Sequence, residues 1–123
     1  MTHTWITHKE KRILYSDFAN FGANVEGLRA DIEAGNQLIG QEPENSVLVL
    51  ADLRNTILSI EAVQILKESA TITKPYARKT ALIGITTGFR RVLLDAVIRF
   101  SGRPMAAFED IEKAKDWLVE ETD

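Results

Sequence analysis

The stretch Gly84-Ile85-Thr86-Thr87-Gly88-Phe89-Arg90-Arg91 follows an apolar run and opens a helical pattern. The start of a helix presents free backbone N–H groups and the positive end of its dipole, a combination that holds anions. Thr86 and Thr87 add hydroxyl donors there, and Arg90 and Arg91 add charge. The segment is not a P-loop, because no Gly-Lys-Ser/Thr triplet follows, and it lacks the Gly-x-Gly-x-x-Gly spacing of dinucleotide sites. A plainer reading makes a threonine the N-cap and leaves the arginines solvated. A second polar group, Asp52, Arg54 and Asn55, follows the apolar run 47–51. Ligands of open α/β sheets bind beyond the carboxyl ends of the strands. Asp52, Arg54, Asn55, Thr86, Thr87 and Gly88 are therefore expected to be neighbours, with Arg90 and Arg91 on the helix that follows.

Other chemistry is thinner. Asp17 and Asp52 each close a β-type run, and two carboxylates at strand ends are the raw material of hydrolytic acid–base pairs. The competing role for Asp52 is to cap its own loop through side-chain to backbone hydrogen bonds. His3 and His8, the only histidines, are separated by an odd number of residues. In a strand that places them on opposite faces, which argues against a shared metal, and neither stands in a nucleophile–base motif; both are read as surface strand residues. With no cysteine, disulfides, thiolate nucleophiles and cysteine metal sites drop out. No motif asks for a cofactor.

Charge is unevenly distributed. Residues 17–52 hold seven acids and one base, Arg29, whereas residues 74–103 hold seven bases and one acid, Asp95. The closing stretch 109–123 is acidic again, with seven acids against Lys113 and Lys115. This basic island either neutralises neighbouring elements or forms an anion-facing surface. A net charge of -3 argues against a dedicated nucleic-acid binder. The aromatics do not interleave with the island as single-strand binding requires, and Trp5 and Trp117 fall at apolar-periodic positions, so they are read as core anchors.

Positioning these groups requires a scaffold, and its elements are legible. Residues 3–8 and Arg12-Ile13-Leu14-Tyr15-Ser16-Asp17-Phe18 are short β-type runs around Lys9-Glu10-Lys11, an antiparallel hairpin. Val25, Leu28, Ile32 and then Leu38 or Ile39 keep helical spacing behind the N-cap candidate Asn24. Residues 46–53, continuously apolar over 47–51, show the pattern of a strand buried on both faces. Ser59 caps a helix through Ile60, Val63, Ile65 and Leu66, which ends before Lys74-Pro75. Residues 80–85 are a second buried strand. Phe89, Leu93, Ala96, Val97 and Phe100 then keep helical spacing up to Gly102, with Leu94 and Ile98 on another side. Met105-Ala106-Ala107-Phe108 is a short strand, and Ile111, Ala114, Trp117 and Leu118 face inward on a last helix.

The expected fold is α/β. A mixed, mostly parallel sheet of about five strands carries an N-terminal antiparallel hairpin and four helices in one domain, residues 1–123. The 123 residues, 45% of them hydrophobic, suffice for one core. The first residues show no signal-peptide pattern and no window reaches the length of a membrane span, so a cytoplasmic protein of bacterial type, without a transmembrane segment, is expected.

Val47-Leu48-Val49-Leu50-Ala51-Asp52-Leu53, Lys74-Pro75-Tyr76 leading into 79–85, and the ending from Phe108-Glu109-Asp110 through Ala114, Trp117 and Leu118 resemble the small bacterial SpoIIAA-like proteins. These share the fold of the sulfate-transporter and anti-sigma-factor-antagonist (STAS) domains and, more distantly, of CRAL-TRIO lipid carriers. The resemblance spans nearly the whole chain and rests on structural patterns. Regulatory members of that group carry a phosphorylated Asp-Ser pair at the start of the helix after the matching strand. Here the stretch reads Leu58-Ser59-Ile60-Glu61, with Ser59 near the place and no such pair. The resemblance implies a non-enzymatic module, expected as a homodimer, that binds a small anionic or amphipathic ligand or a regulatory protein near 52–55 and 86–91. The rival readings are a small enzyme using Asp52 or Asp17 as general base, and a peripheral binder of anionic lipid through the basic island.

Overall fold

In the computed structural model residues 3–84, 88–102 and 104–120 are described, residues 88–90 in backbone only. The chain opens with strands β1 (His3–His8) and β2 (Lys11–Asp17), antiparallel and in register at Trp5↔Leu14 and Ile6↔Ile13. Lys9 and Glu10 turn the corner with φ of 48° and 72°, the left-handed pair that matches hairpin twist. Lys11 already belongs to β2.

Three crossovers follow. Helix α1 (Val25–Ile39) starts at Asn24, whose side chain accepts from the Gly27 N–H. It leads into strand β3 (Val47–Asp52), all six residues of which are buried. Helix α2 (Ile60–Thr73) starts at Ser59, which accepts from the Ala62 N–H. Strand β4 (Ala77–Ile83), helix α3 (Gly88–Ser101), strand β5 (Met105–Phe108) and helix α4 (Ile111–Val119) complete the order. The sheet runs β1-β2-β3-β4-β5, parallel from β2 onward. Its class is therefore the predicted one: among the described residues there are five strands, four helices and one antiparallel hairpin.

Strand alternation sorts the side chains into two layers. Ala51, Leu53 and Leu82 point to the side where Leu28, Ile32, Ile65, Leu94 and Val97 of α1, α2 and α3 cover them. Ile13, Leu48, Leu50, Ala81 and Ile83 point to the other side, under Ala114 and Leu118 of α4. Each crossover helix carries the chain back across the sheet, so α2 and α3 both begin at the edge where β3 and β4 end.

Three details depart from the sequence reading. β4 begins at Ala77, three residues before the apolar run, because Lys79 is buried: its ammonium donates to the backbone carbonyls of Trp117 and Glu120 at the end of α4, and lies 4.4 Å from the Trp117 ring centroid. Hydrogen bonds to carbonyls and an aromatic face are what let a lysine occupy an inward position. On α3 the buried stripe is Leu94, Val97 and Ser101, an i, i+3, i+7 set, while Phe100 is exposed. His3 is buried rather than on the surface: its Nδ1 is bonded to the Ser16 hydroxyl and its Nε2 donates to the Asp31 carbonyl, both at 2.9 Å.

Candidate functional site

Asp52 ends β3 on the α4 side of the sheet, with Tyr15 and Asp17 of β2 alongside; Asp17 is its register partner. Its side chain is 1% exposed, and burial by itself favours a neutral carboxyl. Five hydrogen bonds oppose that. Arg54 donates from its backbone N–H at 3.0 Å, from Nε at 3.0 and 3.1 Å and from Nη2 at 2.6 Å, and the Tyr15 hydroxyl donates at 2.7 Å. Burial is the largest single influence and pushes the Asp52 pKa up, but the Arg54 and Tyr15 hydrogen bonds together outweigh it and hold the carboxyl below its usual range. Tyr15 is pushed up to about 12, by burial first and then by its hydrogen bond to Asp52. Arg54 is raised further by the same carboxylate. The result is a fixed ionised acid, a fixed phenol and a fixed guanidinium.

The loop beyond β3 is tied to the loop beyond β2. Asn20 N–H donates to the Arg54 carbonyl at 2.8 Å, Gly22 N–H to the Asn55 carbonyl at 3.0 Å, and the Asn55 amide to Asn20 Oδ1 at 3.0 Å. The Thr56 hydroxyl donates to the Phe18 carbonyl at 2.6 Å and accepts from the Phe21 N–H at 3.2 Å. Asn20 and Asn55 both take φ near 60°, a region that asparagine tolerates better than most residues. On the other side Gly84 presses against Arg54. A Cβ there would lie 2.6 Å from the Arg54 nitrogen, and its φ is +105°, so only glycine fits the turn out of β4.

The sequence-predicted residues divide accordingly. Asp52, Arg54 and Asn55 are together at the carboxyl edge of the sheet, and Gly84 brings the end of β4 against them. Asp52 caps its loop through the Arg54 N–H, as expected from its type. Gly88 begins α3. Thr86 and Thr87 lie outside the described residues, as does the Arg90 side chain. Arg91 donates through Nε to Asp95 at 2.9 Å, one turn along α3. Asp17 accepts from the Ala19 N–H at 3.1 Å. Sequence reasoning missed Tyr15 and Asn20, and it placed Gly84 in the stretch of interest without seeing its packing against Arg54. The available signal was parity, since Tyr15 and Asp17 fall on one face of β2.

This geometry is unsuited to general-base catalysis by Asp52. A base must reach a substrate proton and carry a pKa near the working pH, whereas this carboxylate is inaccessible, saturated with donors and held low. His8 is bonded to Asp116 on α4 at 2.7 Å, across the sheet from His3, and among the described residues no group of three His, Cys, Asp or Glu could hold a metal ion. The internal space between the sheet and α1–α3 is about 60 Å³, well short of the roughly 300 Å³ where small-molecule pockets begin. No family model matches the chain, and no curated protein matches it significantly. No helix among the described residues is long and apolar enough to cross a membrane.

Proposed function

We propose that this protein is a non-enzymatic recognition module of STAS-like type whose binding edge is centred on Arg54 and Asn55. The observation that carries the reading is the Arg54 guanidinium. Its Nε and Nη2 are held by a carboxylate that is itself buried, while the side chain remains 58% exposed. An arginine immobilised from behind meets an anion with less entropy loss than a free one. The helix dipole of α3 begins at the same edge, at Gly88, and adds to the attraction for a small anionic or amphipathic ligand. The resemblance to SpoIIAA-like proteins is supported by the succession of elements, the expectation of a homodimer rests on that resemblance, and a cytoplasmic bacterial setting is a separate expectation.

A regulatory protein or a second copy as occupant is favoured by one further observation. Ile57 and Ile60, in the loop after Asn55 and at the start of α2, are exposed, Ile60 to 82%. Exposed aliphatics beside fixed polar groups are the composition of a protein interface. Calorimetric titration with inorganic phosphate, run on the wild type and on Arg54→Ala, tests the ligand reading. Phosphate binding lost in the variant is expected, and phosphate binding that survives would remove Arg54 from the site. Native mass spectrometry of the same samples reads the oligomeric state.

A further inference from the structure

At the opposite ends of α2 and α3, away from Arg54, the surface has a different character. Ile72 and Phe100 are 57% and 54% exposed. They help line a groove of about 500 Å³ between the two helices with Gln64, Lys67, Glu68 and Thr71. Lys67 Nζ stands 5.6 Å from the Phe100 ring centroid. Lys74 Nζ lies 3.2 Å from where a Cβ on Gly102 would be, which puts that ammonium at the C-terminal end of α3. Arg99, next to Phe100, is exposed. Lys67 thus stands over Phe100, Lys74 lies at the end of α3 and Arg99 is an exposed cation on the last turn of the same helix, while Glu68 is the carboxylate among the groove residues. The other acids of this helix pair are engaged: Glu61 with Arg29 at 3.8 Å and Asp95 with Arg91 at 2.9 Å.

We infer that the C-terminal ends of α2 and α3 dock on an anionic lipid bilayer, with Phe100 and Ile72 entering the headgroup layer and Lys67, Lys74 and Arg99 meeting the phosphates. The charge is complementary to that surface, and lysine and arginine stems lie along apolar side chains while their heads stay with the polar layer. Paired apolar insertion and cationic attraction is the recipe of interfacial binding, in which neither part suffices alone. The sequence around α4, residues 109–123, is acidic instead, with seven acids against two bases. This surface is separate from the Arg54 edge, so either reading stands or falls without the other.

The test is co-sedimentation of the full chain with vesicles. Binding is expected to vesicles of equal parts phosphatidylglycerol and phosphatidylcholine and not to phosphatidylcholine alone. It should weaken steeply between about 0.01 M and about 0.15 M salt, as the Debye length falls from about 30 Å to about 8 Å. Lys67→Gln and Arg99→Gln should each weaken binding roughly 5-fold, and Ile72→Ser with Phe100→Ser should abolish retention at the higher salt. Lys113→Gln, which removes the same charge from α4, should have no such effect. Glu68→Gln should strengthen binding severalfold while leaving the urea unfolding midpoint unchanged. Equal binding to both vesicle types, equal weakening by Lys113→Gln, or no binding at low salt would each overturn the inference.

Discussion

Arg54 closes back on Asp52, two residues earlier, with Nε and Nη2 both on the carboxylate and the backbone N–H of Arg54 on Oδ1. One acid therefore ends the strand, shapes the loop and aims the guanidinium, and Tyr15 fills its remaining acceptor site. The same group that anchors the edge is thereby unavailable as a base.

Acid should unlock this edge. The pKa of Asp52 lies below its value in the unfolded chain, about 3.9. Ionised Asp52 therefore stabilises the fold above about pH 4, and that stability is lost as pH falls through the folded pKa. In urea unfolding, Asp52→Asn is expected to cost roughly 2 to 3 kcal/mol at neutral pH, with the gap to wild type closing in acid. A gap of the same size at pH 7 and pH 2 would show that the carboxylate charge is not the source.

Tyr15 offers a spectroscopic reading of the same contact. Its phenol is expected to ionise near pH 12, seen as the phenolate absorbance difference between wild type and Tyr15→Phe. Because the folded pKa is raised, the protonated phenol's contribution is complete below about pH 10 and is lost as pH climbs through about 12. Asp52→Asn should lower the midpoint by removing the hydrogen bond and the neighbouring charge, leaving burial and the Asp17 charge. An unmoved midpoint would take Asp52 out of the shift.

The orientation of α3 gives an opposed pair of stability measurements. Leu94 is 1% exposed and Phe100 is 54% exposed. Leu94→Ala should cost roughly 2 to 5 kcal/mol by loss of burial and creation of a cavity, and Phe100→Ala about 0.5 kcal/mol or less. The reverse order would restore the face suggested by helical spacing alone.

Much of the architecture was legible before any coordinate. The unbroken apolar run 47–51 allowed only a strand covered on both faces, and β3 is that strand. Asn24 and Ser59 announced helix starts because a side-chain oxygen there satisfies an otherwise idle N–H, and both do so. The hairpin followed from two short β-type runs around a charged turn. Such signals are local, and the chain writes them in consecutive residues.

What stayed hidden depends on partners distant in sequence. Lys79 stands just before the apolar run 80–85 and reads as a charge outside the strand, and only the carbonyls at the end of α4 make it an interior residue. Helical spacing put Phe100 in the apolar stripe and Leu94 on another side; which of them faces inward depends on how α3 sits against α2 and the sheet. Asp52 was found by position, but its partners Tyr15 and Arg54 come from an adjacent strand and a loop, and their distances decide between acid–base chemistry and anchoring. The amino-acid sequence determined where the elements begin, what covers them and which edge of the sheet gathers polar residues. Tertiary structure alone decided which charges are neutralised and which stay free, because burial and hydrogen bonding between distant segments set that balance.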